Sequence, residues 1–367
     1  MRRELLELIC CPICGSTLRP AGDDPAGLSP AAEDELWDGV LVCSGSGHEF
    51  PIANGIPHLY LDDETWRPKK VEAQGWVKMF KAQGIYDPGP DPVDLRLPYI
   101  EDPDWIEIAG AFDLALDWLE LSGNERILDL GAGRGWAAKH FAARGCQVVA
   151  LDIVPDENIG LGRAYVLMEQ AQVKFELLIA DGEKLPLLAD RFDIVFSCAT
   201  LHHAADLPAM MRNIGRVLKP GGQLCAIREP CRSIWRDEKR TLKRVAAEEL
   251  AAGINESLPT LGDYVAALDA AQMTIAHALP SDRYQGEFTD WPMTAQVMGA
   301  AWGGVDLARL STSLNGVARF LARRSMALLR GAGKPPVYEY VGDSASQAQA
   351  DILTWCGGEL FLLARKD

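Results

Sequence analysis

No run of 18 apolar residues occurs anywhere in the 367-residue chain, so no membrane-spanning helix is predicted. The opening MRRELLELICC is not read as a secretory signal, because charges interrupt its one apolar stretch and no cleavage pattern follows. Cations are scarce. Lys and Arg number 36 against 52 Asp and Glu, giving a net charge of -16 and a pI near 4.9, which argues against a broad nucleic-acid footprint but leaves room for a local patch. Nine cysteines, several in strand-like core runs, fit a reducing cytoplasm better than a disulfide scaffold. With 48% apolar and 24% charged residues, the chain has the composition of a soluble globular protein longer than one ordinary domain.

The chain is organised around residues 127 to 152. An apolar run, Ile127 to Leu130, precedes a glycine turn at Gly131, Gly133 and Gly135; an apolar-spaced helix follows from Trp136, then a second apolar run capped by Asp152. That order predicts strand, tight turn, helix, strand. The glycines allow positive φ and let the backbone approach a ligand at the helix N-terminus. Asp152, 21 residues past Gly131, is placed to accept from both hydroxyls of a ribose. A dinucleotide fingerprint requires a small residue at position 136, where this chain has Trp136. The carboxylate of Asp129 would repel a pyrophosphate but suits a cationic ligand such as S-adenosylmethionine, with its sulfonium and ammonium.

The segment Asp129-Leu-Gly131-Ala132-Gly133-Arg-Gly135 resembles motif I of the class I methyltransferases. Later stretches are similar to further motifs of the group acting on small molecules of the ubiquinone and menaquinone type: Ile179 to Leu187 with Asp181 and Gly182, Arg191 to His203, and Val217 to Gly222 followed by a strand from Gln223 to Arg228. The similarity spans about residues 123 to 230. It implies an α/β, Rossmann-like seven-stranded sheet, parallel with one antiparallel strand, carrying a small N-terminal zinc ribbon and helical insertions. The cofactor contacts it implies are Asp129 at the amino end, Gly131, Ala132, Gly133, Gly135, Asp152 and Ile153 at the ribose, Asp181 and Gly182 at the adenine, and Ser197 and Cys198. Helix capping or turn formation is the alternative use of Asp152 and Asp181.

Residues 10 to 60 carry a second signal. Cys11 and Cys14 form one knuckle, and Cys43 with His48 supplies a second pair, a four-ligand set matching a closed, structural zinc site. Cys10 is a competing ligand, disfavoured by the two-residue gap between Cys11 and Cys14. The segment resembles the short zinc-ribbon proteins that partner methyltransferases, here fused in cis. His48 departs from their pattern and is closer to a Cys-then-Gly-His-Phe element of bacterial ribosomal RNA guanine methyltransferases.

The domains read as 1–60 zinc ribbon, 61–122 linker and helices covering the cofactor, and 123–367 methyltransferase with insertions at about 231–260 and 281–355. Helices are expected over Glu72 to Lys81 and Trp105 to Leu121, and Trp76, Phe80 and Tyr86 either line a lid or pack as core. The second insertion holds Trp291, Trp302 and a helix over 307–329 with Arg309, Arg319, Arg323 and Arg324, which either meets an anionic acceptor or is a solvated face. Methyl transfer from a sulfonium is an in-line displacement that needs alignment more than side-chain chemistry. If the acceptor must lose a proton, His202, His203 and Glu229 are the candidate bases, each with a structural alternative.

Three functional classes follow. The first is a cytoplasmic enzyme methylating a small-molecule or carrier-linked metabolite at O, N or C. A ribosomal or transfer RNA methyltransferase is second, disfavoured by charge and by the absence of an Asn/Asp-Pro-Pro-Tyr/Phe element where Ser197-Cys-Ala-Thr stands. The third is a methyltransferase-like scaffold subunit. No oligomeric state is specified by the sequence.

Overall fold

The computed structural model describes residues 1–22, 35–89, 92–233, 236–280, 353–354 and 357–367. The second insertion's Trp291, Trp302 and arginine-rich helix lie outside the described residues.

At the N-terminus, β1 (Leu18–Pro20), β2 (Gly39–Cys43), β3 (Glu49–Ala53) and β4 (Ile56–Pro57) form an antiparallel meander in chain order. Two helices follow, α1 (Arg67–Ala82) and α2 (Pro103–Leu119). The sequence signal for α1 begins at Glu72, but the helix starts a turn and a half earlier. Pro68 sits in its first turn, where a missing N–H costs nothing, and the polar residues there carry no apolar periodicity to read.

A seven-stranded sheet is built from β5 (Arg126–Leu130), β6 (Gln147–Asp152), β7 (Glu176–Ile179), β8 (Phe192–Cys198), β9 (Leu218–Cys231), β10 (Met273–Pro280) and β11 (Gly358–Lys366). Its order is β10-β11-β9-β8-β5-β6-β7. The five strands β5 to β9 run parallel, and β11 lies antiparallel to both neighbours. This is the expected mixed sheet with one reversed strand. Ile127, Leu128, Asp129 and Leu130 of β5 are all buried, as a central parallel strand covered on both faces requires. Helices α3 (Trp136–Ala142), α4 (Ala164–Ala171), α5 (Leu207–Val217), α6 (Glu238–Val245), α7 (Ala247–Ala252) and α8 (Leu261–Asp269) connect and flank these strands.

Two boundaries differ from the sequence reading. Lys219 to Gly222, read as a stop between helix and strand, is incorporated into β9, which runs from Leu218 rather than Gln223. Leu218 already pairs with Phe192, and the register then shifts at Gly221, whose φ of +76° only glycine adopts cheaply. At the other end β9 reaches Cys231, because β11 pairs with it up to that residue.

The small sheet has no separate core. Leu5, Ile9, Leu41 and Phe50 share one apolar cluster with Leu178, Leu185 and Leu187 of the large domain. Backbone bonds join the two as well: the Leu59 N–H donates to the Ile179 carbonyl at 2.8 Å, Cys10 N–H to Pro186 at 2.9 Å, and Leu188 N–H to Leu8 at 2.7 Å. The edge strand β7 is thereby covered, which removes an exposed pairing edge.

Candidate functional site

Where β5, β6 and β8 end, their C-terminal loops and helix α1 enclose a cavity of about 250 Å³. Open α/β sheets place ligands at this end. Its wall includes the backbone of Gly131 and Gly133, the carboxylate of Asp152, Ile153, Gly182 and Cys198. Asp152 holds the glycine turn in place, accepting from the Gly133 N–H with one oxygen and the Val154 N–H with the other, both at 2.8 Å. Burial raises its pKa, opposed by those two backbone donors.

Helix α1 forms the roof. Lys69, Glu72, Trp76 and Phe80 follow at spacings of three and four residues, so one face of the helix points into the cavity. Glu72 is 3% exposed, and burial pushes its pKa up to about 7 against the pull of Lys69. The Lys69 ammonium lies 3.2 Å from both Glu72 and Glu183, so the lysine on this wall already has counter-charges.

A second group lies against the same cavity. His203 lines it, stands edge-on to Trp76, and has Nδ1 at 2.7 Å from the Asn255 carbonyl. Burial and the neighbouring His202 depress its pKa to about 3. His202 sits behind it, with Nδ1 at 3.0 Å from Glu229. Burial lowers the His202 pKa, but Glu229 more than offsets this and the net direction is upward. Glu229 itself is fully buried. It accepts from the backbone N–H groups of Thr200 and Leu201 at 2.8 and 2.9 Å, and from the Ser197 hydroxyl at 3.3 Å.

Far from the cavity, the sulfurs of Cys11, Cys14 and Cys43 converge within 4.8 Å of one another. Cys14 and Cys43 are 3.4 Å apart, and His48 Nδ1 stands 4.0 Å from Cys11. Ser46 reaches into this group, its Oγ 2.6 Å from His48 Nδ1. Hydrogen bonds with Ser16 and Ser46 draw the exposed Cys14 thiol down to about 6. Cys10 is outside the cluster, tied to the large domain through its backbone.

Residues 128–226 match the family model described as a methyltransferase domain, and residues 2–55 match the Trm112p-like protein model. The central part of the chain is a class I methyltransferase domain. Its N-terminal sheet is a Trm112p-like domain, and the strand order above is that of the methyltransferase fold. Among curated relatives, the ubiquinone biosynthesis O-methyltransferase of Ruegeria pomeroyi is 31% identical over 171 residues, covering 46% of this chain and 64% of that protein. The malonyl-[acyl-carrier protein] O-methyltransferase of Serratia marcescens is 35% identical over 98 residues, covering 27% and 36%. The chain thus spans less than two thirds of the length of these relatives. A solved geranyl diphosphate C-methyltransferase from Streptomyces coelicolor A3(2) is 13% identical with a TM-score of 0.48, covering 82% of this chain and 98% of that one.

Within the methyltransferase domain, several residues singled out in the sequence lie off the cavity wall. Asp129 is fully buried beneath the glycine turn, where it accepts from the Ala138 N–H at 2.9 Å and is pushed up to about 7 by burial. Asp181 caps the turn after β7, accepting from the Glu183 N–H at 2.9 Å. Ala132 is buried; Gly135, at φ +80°, starts α3 and packs on Ala164 and Phe175; Ser197 faces Glu229. Trp136 does not crowd the cavity as expected. Its indole turns into the core against Trp105, Phe112 and Phe196, so it is the acidic wall and not crowding that opposes a pyrophosphate. Tyr86 donates to Asp156 at 3.0 Å, away from the lid position that Trp76 and Phe80 take. Lys69, Glu72, Thr200 and Met210 were not anticipated as site residues. The helical spacing that exposed Trp76 and Phe80 also contains Lys69 and Glu72; reading that face for charge as well as for aromatics would have found them.

Proposed function

We propose that the chain is an S-adenosylmethionine-dependent methyltransferase acting on a small-molecule or carrier-linked metabolite at O, N or C. The observation that carries this reading is the cavity itself: a glycine turn and Asp152 below, acids on the wall, and a lysine already paired. Such a wall favours a cation and offers a pyrophosphate no free counter-charge. Gly131 and Gly133 would border the cofactor's chain, Asp152 its ribose, and Ile153 and Gly182 its adenine, with Asp129 and Asp181 shaping the loops from behind. The cofactor supplies an activated methyl group. The protein aligns it with the acceptor under the roof of Trp76 and Phe80 and keeps water out. An acceptor hydroxyl would lose its proton beside His203, with Glu229 fixing His202 in place rather than touching the acceptor.

Calorimetric titration with S-adenosylhomocysteine tests the reading. Asp152→Ala should weaken binding by about 10- to 100-fold, the cost of losing a charged acceptor worth about 1.5–3 kcal/mol. Wild-type affinity in that variant would remove the ribose assignment, and binding of a dinucleotide instead would remove the function.

In the Trm112p-like domain, Cys11, Cys14, Cys43 and His48 are proposed to hold a structural zinc ion. Tetrahedral sulfurs at about 2.3 Å from zinc stand about 3.8 Å apart, against 3.4 Å between Cys14 and Cys43, and His48 Nδ1 stands 4.0 Å from the Cys11 sulfur. We assign the protein to the cytoplasm, in keeping with its free thiols. The Trm112p-like match favours RNA as a second acceptor class. Retention on RNA at physiological salt with a steep salt slope would promote it over the first.

A further inference from the structure

Glu256, in the segment between α7 and α8, is a carboxylate whose side chain is 10% exposed, yet among the described residues no donor hydrogen-bonds to it. Its closest polar neighbours are two imidazole nitrogens. His202 Nε2 is 3.6 Å from Oε2, and His203 Nδ1 is 3.5 Å from Oε1, both longer than a good hydrogen bond. Glu229 bonds His202 at Nδ1, which directs the lone pair of the neutral ring to Nε2, toward Glu256. With His202 neutral, two acceptors face each other across 3.6 Å; with His202 protonated, the same pair is an ion pair too long for a good hydrogen bond.

We propose that His202, His203 and Glu256 form a second metal site, separate from the cysteine cluster, for a divalent first-row ion. One donor atom of each residue lies within 4.8 Å of the others, and a metal about 2.1 Å from its donors, held by both oxygens of Glu256, would subtend about 115° at each of the nitrogen–oxygen pairs 3.6 and 3.5 Å apart. Two imidazoles and a carboxylate suit zinc, iron, cobalt or manganese, and leave positions open for exogenous oxygen. Glu229 is the outer carboxylate that fixes the tautomer and orientation of a ligating histidine. The Nδ1 proton of His203, which now meets the Asn255 carbonyl at 2.7 Å, moves to Nε2 when Nδ1 ligates. The ordinary competitor for the site is a proton on His202, held between Glu229 and Glu256.

Because His203 belongs to the cavity wall, the site also names an acceptor class, an inference that rests on the transferase reading: a molecule with a hydroxyl that ligates the ion. The bound hydroxyl gives its proton to solvent, its oxygen forms the bond to the methyl carbon, and the carbon–sulfur pair of electrons returns to sulfur.

Equilibrium dialysis of the full chain against micromolar zinc, followed by elemental analysis, tests the site without any turnover. Wild type should hold two zinc ions per chain, Glu256→Gln one and Cys14→Ser one. His202→Asn, a second variant with an unrelated shape change, should also hold one. A single ion in wild type that Glu256→Gln retains, or two in Glu256→Gln, overturns the site and leaves a protonated His202 between carboxylates. Calorimetry with S-adenosylhomocysteine on Glu256→Gln separates the layers, since unchanged affinity shows that the cofactor cavity has survived. If two ions bind but Glu256→Gln methylates a hydroxyl acceptor as fast as wild type does, the acceptor class is overturned while the metal site stands.

Discussion

Glu72 shows what burial does to a single group. It is almost fully enclosed with its pKa raised to about 7, so the folded state holds its proton more tightly than the unfolded chain does. For a raised carboxyl, the folded state binds more protons between the unfolded and folded values, so its contribution to stability falls as pH rises from about 4.5 to about 7. Glu72→Gln removes that dependence. The variant should gain on wild type across this window by at most about 3 kcal/mol, at 1.36 kcal/mol for each pH unit, measured as the difference in urea unfolding at the two ends. A constant difference would show that Lys69 keeps Glu72 ionised throughout. Asp129, also near 7, shares the direction of the effect, which is why the comparison is with the point variant and not with wild type alone.

Helix α1 is placed by a glycine. Gly75 lies inside the helix, where replacement by alanine normally stabilises by about 1 kcal/mol. Here a Cβ would stand 2.7 Å from the Ala252 carbonyl oxygen and 3.1 Å from Ile254, against the end of α7. Backbone cannot yield as a side-chain tip does, and overpacking costs about 1–3 kcal/mol, so the clash outweighs the propensity. Gly75→Ala is expected to lower the denaturation midpoint and weaken cofactor affinity by separating α1 from α7; a raised midpoint would mean the two helices part freely. The same contact explains a limit of sequence reading. The stretch from Glu72 to Lys81 announces a helix, but no pattern in it says that residues 252 to 254 will press on it, since that depends on where the segment after β9 returns.

On the scale of the molecule, the Trm112p-like domain is bonded to the edge and the loop that follow one another along the methyltransferase sheet, through Ile179, Pro186 and Leu188. Loss of its metal should therefore be felt beyond the cysteines. Cys14→Ser is expected to lower zinc content by about one ion per chain, and to speed hydrogen exchange at the amides of Leu59 and Leu188; protection unchanged at both would show that the apolar cluster holds the interface unaided. The glycine turn and the cysteine knuckle were legible in the chain because their demands are local: a glycine where φ is positive, a carboxylate at a strand end, two cysteines separated by two residues. The sheet, too, was legible, as each strand is an apolar run between turn residues. What only the tertiary structure decided is how distant side chains share space. It turned Trp136 into the core, put Glu72 over the cavity, buried Glu229 behind His202 and brought Glu256 to both histidines, because burial and charge pairing are set by neighbours that lie far apart along the chain, as Lys69 and His203 do at a separation of 134 positions.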